Sequence, residues 1–226
     1  MSVRVAVVVP AAGAGRRMGG TAKAFVELAG EPMLRRTLRP FLAETRVTAI
    51  AIALDAATAA APPQWLVTLD RRITFVTGGA TRSASVAAAL ATLDDDVDVV
   101  LVHDAARPLV SAELIDRVIT AAAAGHAVIA AVPVTDTIQE VDDVGRIIAT
   151  PERDHLWQAQ TPQAFPRSVV MDAYRRAAAD GVIATDDAAL VARYGTPVRV
   201  IEGARENIKV TTQADVRAVE ALLARP

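Results

Sequence analysis

The sequence contains no cysteine, which excludes disulfide bonds, thiolate zinc sites and cysteine nucleophiles. Aromatic residues are only 4% of the chain, so its core must be built from valine, isoleucine, leucine and alanine. The net charge of −2 provides no positive field for nucleic acid, and we expect no nucleic-acid partner. No stretch approaches the roughly 18 apolar residues of a membrane-spanning helix. Because Arg4 interrupts the short apolar run at the N-terminus, we expect no signal peptide and a cytoplasmic protein.

What the sequence does contain is a regular alternation of apolar segments. The β-branched run from Val3 to Val9 predicts a parallel strand buried on both faces. Further strands are predicted at 47–54, 73–76, 97–102, 126–132 and 198–201. Helices are predicted at 32–42, 83–93, 111–124, 167–179, 187–194 and from Thr212 onwards. This alternation predicts a doubly wound, three-layer α/β fold in one domain, residues 1–226, with a mostly parallel sheet.

Residues 134–160, called the arm segment below, break this pattern. They alternate in polarity, carry an Asp-Asp-Val-Gly turn and show no helical period, so we expect a β-hairpin arm that leaves the main sheet.

Unusual loops follow four of the predicted strands: PAAGAGRR, TGGATRS, HDAARP and PVTDT. In open α/β sheets, ligands bind outside the carboxyl ends of the strands, where these loops meet. The first loop lacks the third glycine of a dinucleotide fingerprint, because Met18 stands there, and it also fails the spacing of an ATP-type phosphate loop. What remains is a glycine-rich turn followed by the cations Arg16, Arg17 and Lys23. This pattern suits a phosphate-bearing ligand, although a tight turn with solvated arginines would explain it too.

The later loops carry further polar candidates. GGATRSAS opens a helix whose N-terminus favours anions, or it is an ordinary glycine turn with Ser83 or Ser85 as cap. Asp104 can hold Mg²⁺ together with substrate phosphates, or it can cap a turn. His103 is interpreted as a hydrogen-bonding histidine rather than a metal ligand, since no second ligand stands at zinc spacing. Thr185 can cap a helix whose dipole the two acids after it complement, and Lys209, in a strand-like segment, has to be paired or point into a site.

Taken together and in order, PAAGAGRRMG, GGATRSASVAAAL, VHDAARP, PVTDTI, LWQAQTPQAF, TDDAAL and ENIKVTT resemble the 2-C-methyl-D-erythritol 4-phosphate cytidylyltransferase family. The resemblance covers about 210 residues. It implies a Rossmann-like nucleotidyltransferase fold with a protruding β-hairpin arm, a homodimer built through that arm, Mg²⁺ as cofactor and CTP as substrate.

The resemblance also implies roles for individual residues. The expected catalytic cations are Arg17 and Lys23. Nucleotide binding is expected at Pro10, Ala11, Ala12, Gly13, Gly15, Gly79, Ala80, Ser85, Asp104 and Ala105, with Asp104 also near the metal. The acceptor pocket is expected to involve Thr137, Arg153, Thr161, Thr185 and Lys209.

The chain departs from the family pattern at Ala22, Ala80 and Gln139, where proline, aspartate and a basic residue are frequent. The implied reaction transfers the cytidylyl group of CTP to 2-C-methyl-D-erythritol 4-phosphate in isoprenoid precursor synthesis. Two alternatives stay open: a cytidylyltransferase for another polyol phosphate such as ribitol 5-phosphate, and a non-catalytic nucleotide-binding regulator.

Overall fold

A computed structural model describes residues 3–13 and 23–224 of the chain. Its strands are β1 Val5–Pro10, β2 Glu27–Leu28, β3 Glu31–Pro32, β4 Val47–Leu54, β5 Ile73–Thr77, β6 Val99–Val102, β7 Ala127–Pro133, β8 Glu140–Val141, β9 Ile147–Ala149, β10 Trp157–Pro166 and β11 Val198–Glu202. Its helices are α1 Met33–Ala43, α2 Ala56–Ala60, α3 Gln64–Val67, α4 Arg82–Leu90, α5 Ala112–Ala123, α6 Arg167–Asp180, α7 Asp187–Arg193 and α8 Gln213–Leu223. In the part of the chain that is described, no helix is both long enough and apolar enough to cross a bilayer.

Seven strands form the main sheet in the order β11-β7-β10-β6-β1-β4-β5. From β1 the chain moves outward to β4 and β5, and then returns to the other side of β1 as β6. This reversal creates a topological switch point beside the carboxyl end of β1, the usual place for a ligand in open α/β sheets. The strands pair in parallel except β10, which runs antiparallel to both β6 and β7.

Two apolar cores cover the two faces of this sheet, as the sequence pattern predicts. Val5, Val7 and Val9 face a core that contains α1 and α5, while Ala6 and Val8 face a second core that contains α4, α6 and α7. Every one of these β1 residues is buried, which explains why the strand is a continuous apolar run in the sequence. The three-layer α/β architecture with a mostly parallel sheet is therefore confirmed.

The arm segment differs from the prediction at its carboxyl end. Its residues 157–160 are not outside the sheet: Trp157 pairs with Pro133 and Ala159 with Ala131, as the start of β10. Within the arm segment, only β8 and β9 form a two-stranded hairpin separate from the main sheet, closed through Asp142 and Gly145.

The antiparallel strand β10 is not among the predicted strands. Six of its residues, 160–165, are buried without alternation, so the period-2 signal is missing, and Pro162 argues against a central strand. The pairing with β7 shifts register between Ala159 and Gln163, and Pro162 lies in this irregularity. A bulge accommodates the residue that a regular ladder would exclude.

Candidate active site

A cavity of about 810 Å³ opens at the switch point of the sheet. Its described lining comes from residues 10–13, Lys23 with Ala24, residues 79–82 with Ser85, residues 104–106, and Lys209 with Thr211. The predicted nucleotide-binding residues in the described part of the chain all contribute to it, and so do Lys23 and Lys209. Gly15 and Arg17 lie outside the described residues.

The loops around the cavity are anchored to the ends of the strands. The Ala11 N–H donates to the carbonyl of Ala53 at 2.7 Å, and the Gly78 N–H donates to the carbonyl of Leu54 at 2.7 Å. A Cβ atom on Gly78 would lie 2.5 Å from that of Ala12, and one on Gly79 would lie 2.4 Å from that of Ala84. Gly78 and Gly79 are thus required because the loop after β5 approaches the loop after β1 and the start of α4 so closely.

Helix α4 begins at this edge of the cavity with a side-chain cap. Neither Ser83 nor Ser85 is the cap: the Thr81 hydroxyl accepts the N–H of Ala84 at 3.0 Å. Ser85 instead donates to the Thr81 carbonyl at 2.9 Å and accepts the Gly79 N–H at 3.2 Å. Its buried hydroxyl therefore holds the glycine loop against the helix while it lines the cavity.

Four charged side chains form a continuous ion cluster beside the cavity, and three of them, Arg82, Asp104 and Lys209, line it. Arg82 Nε lies 3.0 Å from Asp104 Oδ1, and Arg82 Nη1 lies 2.8 Å from Asp187 Oδ2. Lys209 Nζ lies 2.7 Å from Asp104 Oδ2. Tyr174 donates its hydroxyl to the other oxygen of Asp187. The cluster joins β6, α4, α6, α7 and the loop before α8 around the cavity.

The charge state of Asp104 follows from two opposing effects. Burial disfavours the ionised carboxylate, but the positive charges of Arg82 and Lys209 outweigh this and hold its pKa well below the usual range. Burial of Arg82 acts in the opposite direction, but the negative charges of Asp187 and Asp104 outweigh it and raise the pKa of the guanidinium. Asp104 is thus a carboxylate, and Arg82 a guanidinium, at physiological pH.

A second, mostly neutral network supports the cluster from behind. His103 is fully buried; its Nε2 lies 3.1 Å from the Arg107 carbonyl and its Nδ1 lies 3.1 Å from the Thr161 hydroxyl. Because a carbonyl can only accept, Nε2 carries the proton and Nδ1 accepts from Thr161. Burial lowers the pKa of this histidine to about 4. His103 is a hydrogen-bonding residue, as expected, and does not line the cavity.

The loop that carries Lys209 is held in place by buried polar contacts, although it is not the strand-like segment that the sequence suggests. Arg107 Nη1 donates to the Asn207 carbonyl at 2.6 Å, and Asn207 Nδ2 donates to the Thr161 carbonyl at 2.8 Å. Next to Lys209, the Val210 N–H donates to the Ala106 carbonyl at 2.8 Å. These contacts tie the loop to β10 and to the HDAARP loop, and so determine where the ammonium group lies.

The predicted acceptor-pocket residues are spread more widely than the predicted nucleotide-binding residues. Lys209 lines the cavity, while Thr161 lies behind it and accepts the Asp104 N–H at 3.0 Å. Thr137, Arg153 and Thr185 are exposed and are not among the described lining residues. Arg153 instead donates to the Thr135 carbonyl at 2.7 Å across the arm segment.

Sequence reasoning missed the importance of two members of the ion cluster, Arg82 and Asp187. The sequence marks Arg82 only as part of a helix start, and Asp187 only as one of two acids at the start of a helix. The cap there is Asp186, whose side chain accepts the Ala189 N–H at 2.7 Å, and not Thr185. No motif marks Asp187, since its partners Arg82 and Tyr174 lie 105 and 13 residues away in sequence.

The fold and the cavity together define a three-layer α/β protein with a candidate ligand site at the switch point of its sheet. Residues 5–225 match the model of one family, 2-C-methyl-D-erythritol 4-phosphate cytidylyltransferase (IspD). The chain belongs to this family.

Individual relatives agree with the family match. The chain is 48% identical over 225 residues to the 2-C-methyl-D-erythritol 4-phosphate cytidylyltransferase of Symbiobacterium thermophilum, covering 99% of this chain and 94% of the relative. It is 49% identical to the enzyme of the same name from Frankia casuarinae, covering 99% and 83% of the two chains. The crystal structure of that cytidylyltransferase from Thermus thermophilus is similar with a TM-score of 0.82 and 35% identity, covering 98% of each chain.

The burial of neutral His103 generates a pH prediction. The unfolded chain binds a proton at this histidine near pH 6.5, whereas the folded chain resists protonation until about pH 4. The unfolded state therefore holds more protons between these values, so stability falls as the pH is lowered through this window, by about 3 kcal/mol from this group. Urea unfolding at a series of pH values should show this loss in the wild type and a flatter profile in His103→Asn.

The exposed His155 provides the control for this experiment. We expect His155→Asn to keep the wild-type pH profile. Equal profiles for His103→Asn and the wild type would contradict the assignment.

Proposed function

We propose that this chain transfers the cytidylyl group of CTP to 2-C-methyl-D-erythritol 4-phosphate, giving 4-diphosphocytidyl-2-C-methyl-D-erythritol and pyrophosphate in isoprenoid precursor synthesis. The observation that carries the proposal is the family match over residues 5–225. An oxygen of the acceptor phosphate attacks the α-phosphorus of CTP. The bond from that phosphorus to the β-phosphate oxygen breaks, and pyrophosphate leaves with the electron pair.

This reaction needs charge neutralisation more than proton transfer. A phosphate monoester has its second pKa near 6, so the attacking group is largely ionised at neutral pH without a general base. The difficulty is that one anion attacks another, which is overcome by positioning and by positive charge. Lys23, which lines the cavity, supplies one such charge in the proposal, and Arg17 supplies the second.

Mg²⁺ is the proposed cofactor, and the lining residues fit it in one specific way. Asp104 is the only carboxylate among the described lining residues, and both of its oxygens already have a cationic partner. No group of three potential metal ligands occurs in residues 3–13 and 23–224. Such a site suits an ion held mainly by CTP phosphates with Asp104 as the protein ligand. When bound, the ion would withdraw negative charge from the triphosphate.

The acceptor is proposed to bind between Lys209, Thr161, Thr185 and the arm-segment residues Thr137 and Arg153. Because the last two are exposed on the arm segment, we propose that they act across a homodimer. The hairpin supports this proposal, since Val141, Val144, Ile147 and Ile148 are all more than half exposed. A two-stranded hairpin with an exposed apolar surface is marginally stable alone and gains stability against a partner.

Pyrophosphate release tests the reaction. Purified protein, CTP and Mg²⁺ are mixed with either 2-C-methyl-D-erythritol 4-phosphate or ribitol 5-phosphate. Release with the first acceptor alone is the expected result. Release only with ribitol 5-phosphate would favour the other polyol phosphate, and CTP binding without release would favour a regulator. The proposed setting is the cytoplasm.

Loss of a catalytic cation should reduce turnover without loss of folding. We expect Lys23→Ala and Arg17→Ala each to lower kcat by roughly 10²-fold, the size of effect seen when one donor to a developing charge is removed. Steady-state pyrophosphate assays measure this, with Arg39→Ala as a control at an arginine exposed on α1. Near-wild-type turnover in both variants would refute their proposed roles.

The proposed place of Arg153 predicts a selective effect on one substrate. Arg153→Ala should raise the KM for the acceptor phosphate and leave the KM for CTP unchanged, because its guanidinium is proposed to bind the acceptor. Arg146→Ala is the matched control, since Arg146 is an exposed arginine of the same arm segment and pairs locally with Asp142 at 2.8 Å. A rise in the KM for CTP alone would contradict the proposed pocket.

A further inference from the structure

The ion cluster beside the cavity is balanced in charge. Arg82 and Lys209 contribute two positive charges, and Asp104 and Asp187 contribute two negative ones. Because carboxylates hold Arg82 at both Nε and Nη1, its charge is compensated locally and adds little net attraction for a triphosphate. The main contribution of Arg82 to the cavity is therefore to position the carboxylates that it binds.

The carboxylate at the far end of the cluster is fully buried. Asp187 has no exposed surface and is not among the described residues that line the cavity. Each of its oxygens has one partner, the Tyr174 hydroxyl and Arg82 Nη1. A buried carboxylate is tolerated only when it is paired in this way, so its location restricts where Arg82 can lie.

We propose that Asp187 is a positioning residue for the nucleotide cavity, acting through Arg82 on Asp104. The inference rests on the proposed function, because it takes CTP as the ligand of this cavity. Arg82 is the only link between Asp187 and Asp104 in the described hydrogen bonds, and it fixes the Oδ1 side of Asp104 while Lys209 holds Oδ2. Without Asp187 the guanidinium could turn, and Asp104 would lose its fixed orientation toward the ligand.

The same pair of helices contains a built-in control. Tyr174 on α6 binds Asp187 at the start of α7, while Tyr194 at the end of α7 donates to Asp180 of α6 at 2.8 Å. Both bridges join a tyrosine to an aspartate between the same helices. The second bridge is exposed and does not contact Arg82. Asp180→Asn therefore matches Asp187→Asn in chemistry and differs in connection to the cavity.

The test measures CTP binding by calorimetry in buffer containing Mg²⁺ and no acceptor, well below the unfolding temperature of each variant. We expect Asp187→Asn to weaken CTP binding on the order of tenfold, the scale of coupling between contacting residues, and Asp180→Asn to bind like the wild type. A lower unfolding temperature for Asp187→Asn with wild-type CTP binding would show a merely structural role and overturn the inference.

A double-mutant cycle with Arg82→Lys tests the route of the effect. Lysine keeps the positive charge but cannot bridge two carboxylates as the guanidinium does. If Asp187 acts through Arg82, adding Asp187→Asn to Arg82→Lys should weaken CTP binding by less than about twofold. If the two substitutions weaken CTP binding independently, so that their separate fold losses multiply in the double variant, the inference is overturned.

Should Asp187→Asn not fold, Tyr174→Phe replaces it, because this change frees one oxygen of Asp187 and leaves all charges in place. We expect CTP binding to weaken about two- to threefold, and wild-type binding would overturn the inference. Wild-type protein that binds no CTP would overturn the proposed function and the inference together. Normal wild-type binding with no effect of these variants would overturn the inference alone.

Discussion

The bridge that Arg82 makes between Asp104 and Asp187 is the interaction around which the cavity is organised. It connects the carboxyl end of β6 with the starts of α4 and α7, and Arg82 lies 22 residues from Asp104 and 105 residues from Asp187 in the sequence. Arg82 and Lys209 balance the charges of Asp104 and Asp187, so removing any one of the four leaves an uncompensated charge beside the cavity. The sheet meets the helix layer of α4, α6 and α7 at this point, and the cavity lies directly beside it.

The sheet topology explains why such a bridge can form. The reversal of strand order at β1 brings the loops after β1, β5 and β6 to one edge, and the antiparallel β10 adds Thr161 behind them. The neutral His103–Thr161 pair then supports the loop that carries Asp104, and the Arg107–Asn207 contact supports the loop that carries Lys209, both from the side away from the cavity. The charges of Arg82 and Lys209 on the cavity wall are paired with Asp104 and Asp187. In the proposed mechanism, Lys23, Arg17 and a metal ion neutralise the triphosphate.

Much of this arrangement could be predicted from local sequence. The apolar runs at β1 and β4 identify their strands because strands buried on both faces need apolar residues at every position. The glycines and cations after the strands indicate a phosphate-binding edge, and the cavity at that edge is lined by Lys23, Asp104 and Lys209. Strand β10 could not be predicted because Pro162 and its polar residues break the strand pattern, and its stability comes from the neighbouring strands β6 and β7.

The sequence by itself determined the alternation of strands and helices, the family and the residues at the strand ends, because these depend on local periodicity and on motifs of fixed spacing. Only the tertiary structure decided the partners of each charge. Asp187 looks like an ordinary acid at the start of a helix, and it joins the ion cluster beside the cavity only when α7 packs beside α4 and α6. A long-range ion pair has no characteristic spacing in the sequence, because only the folded structure brings its two groups together.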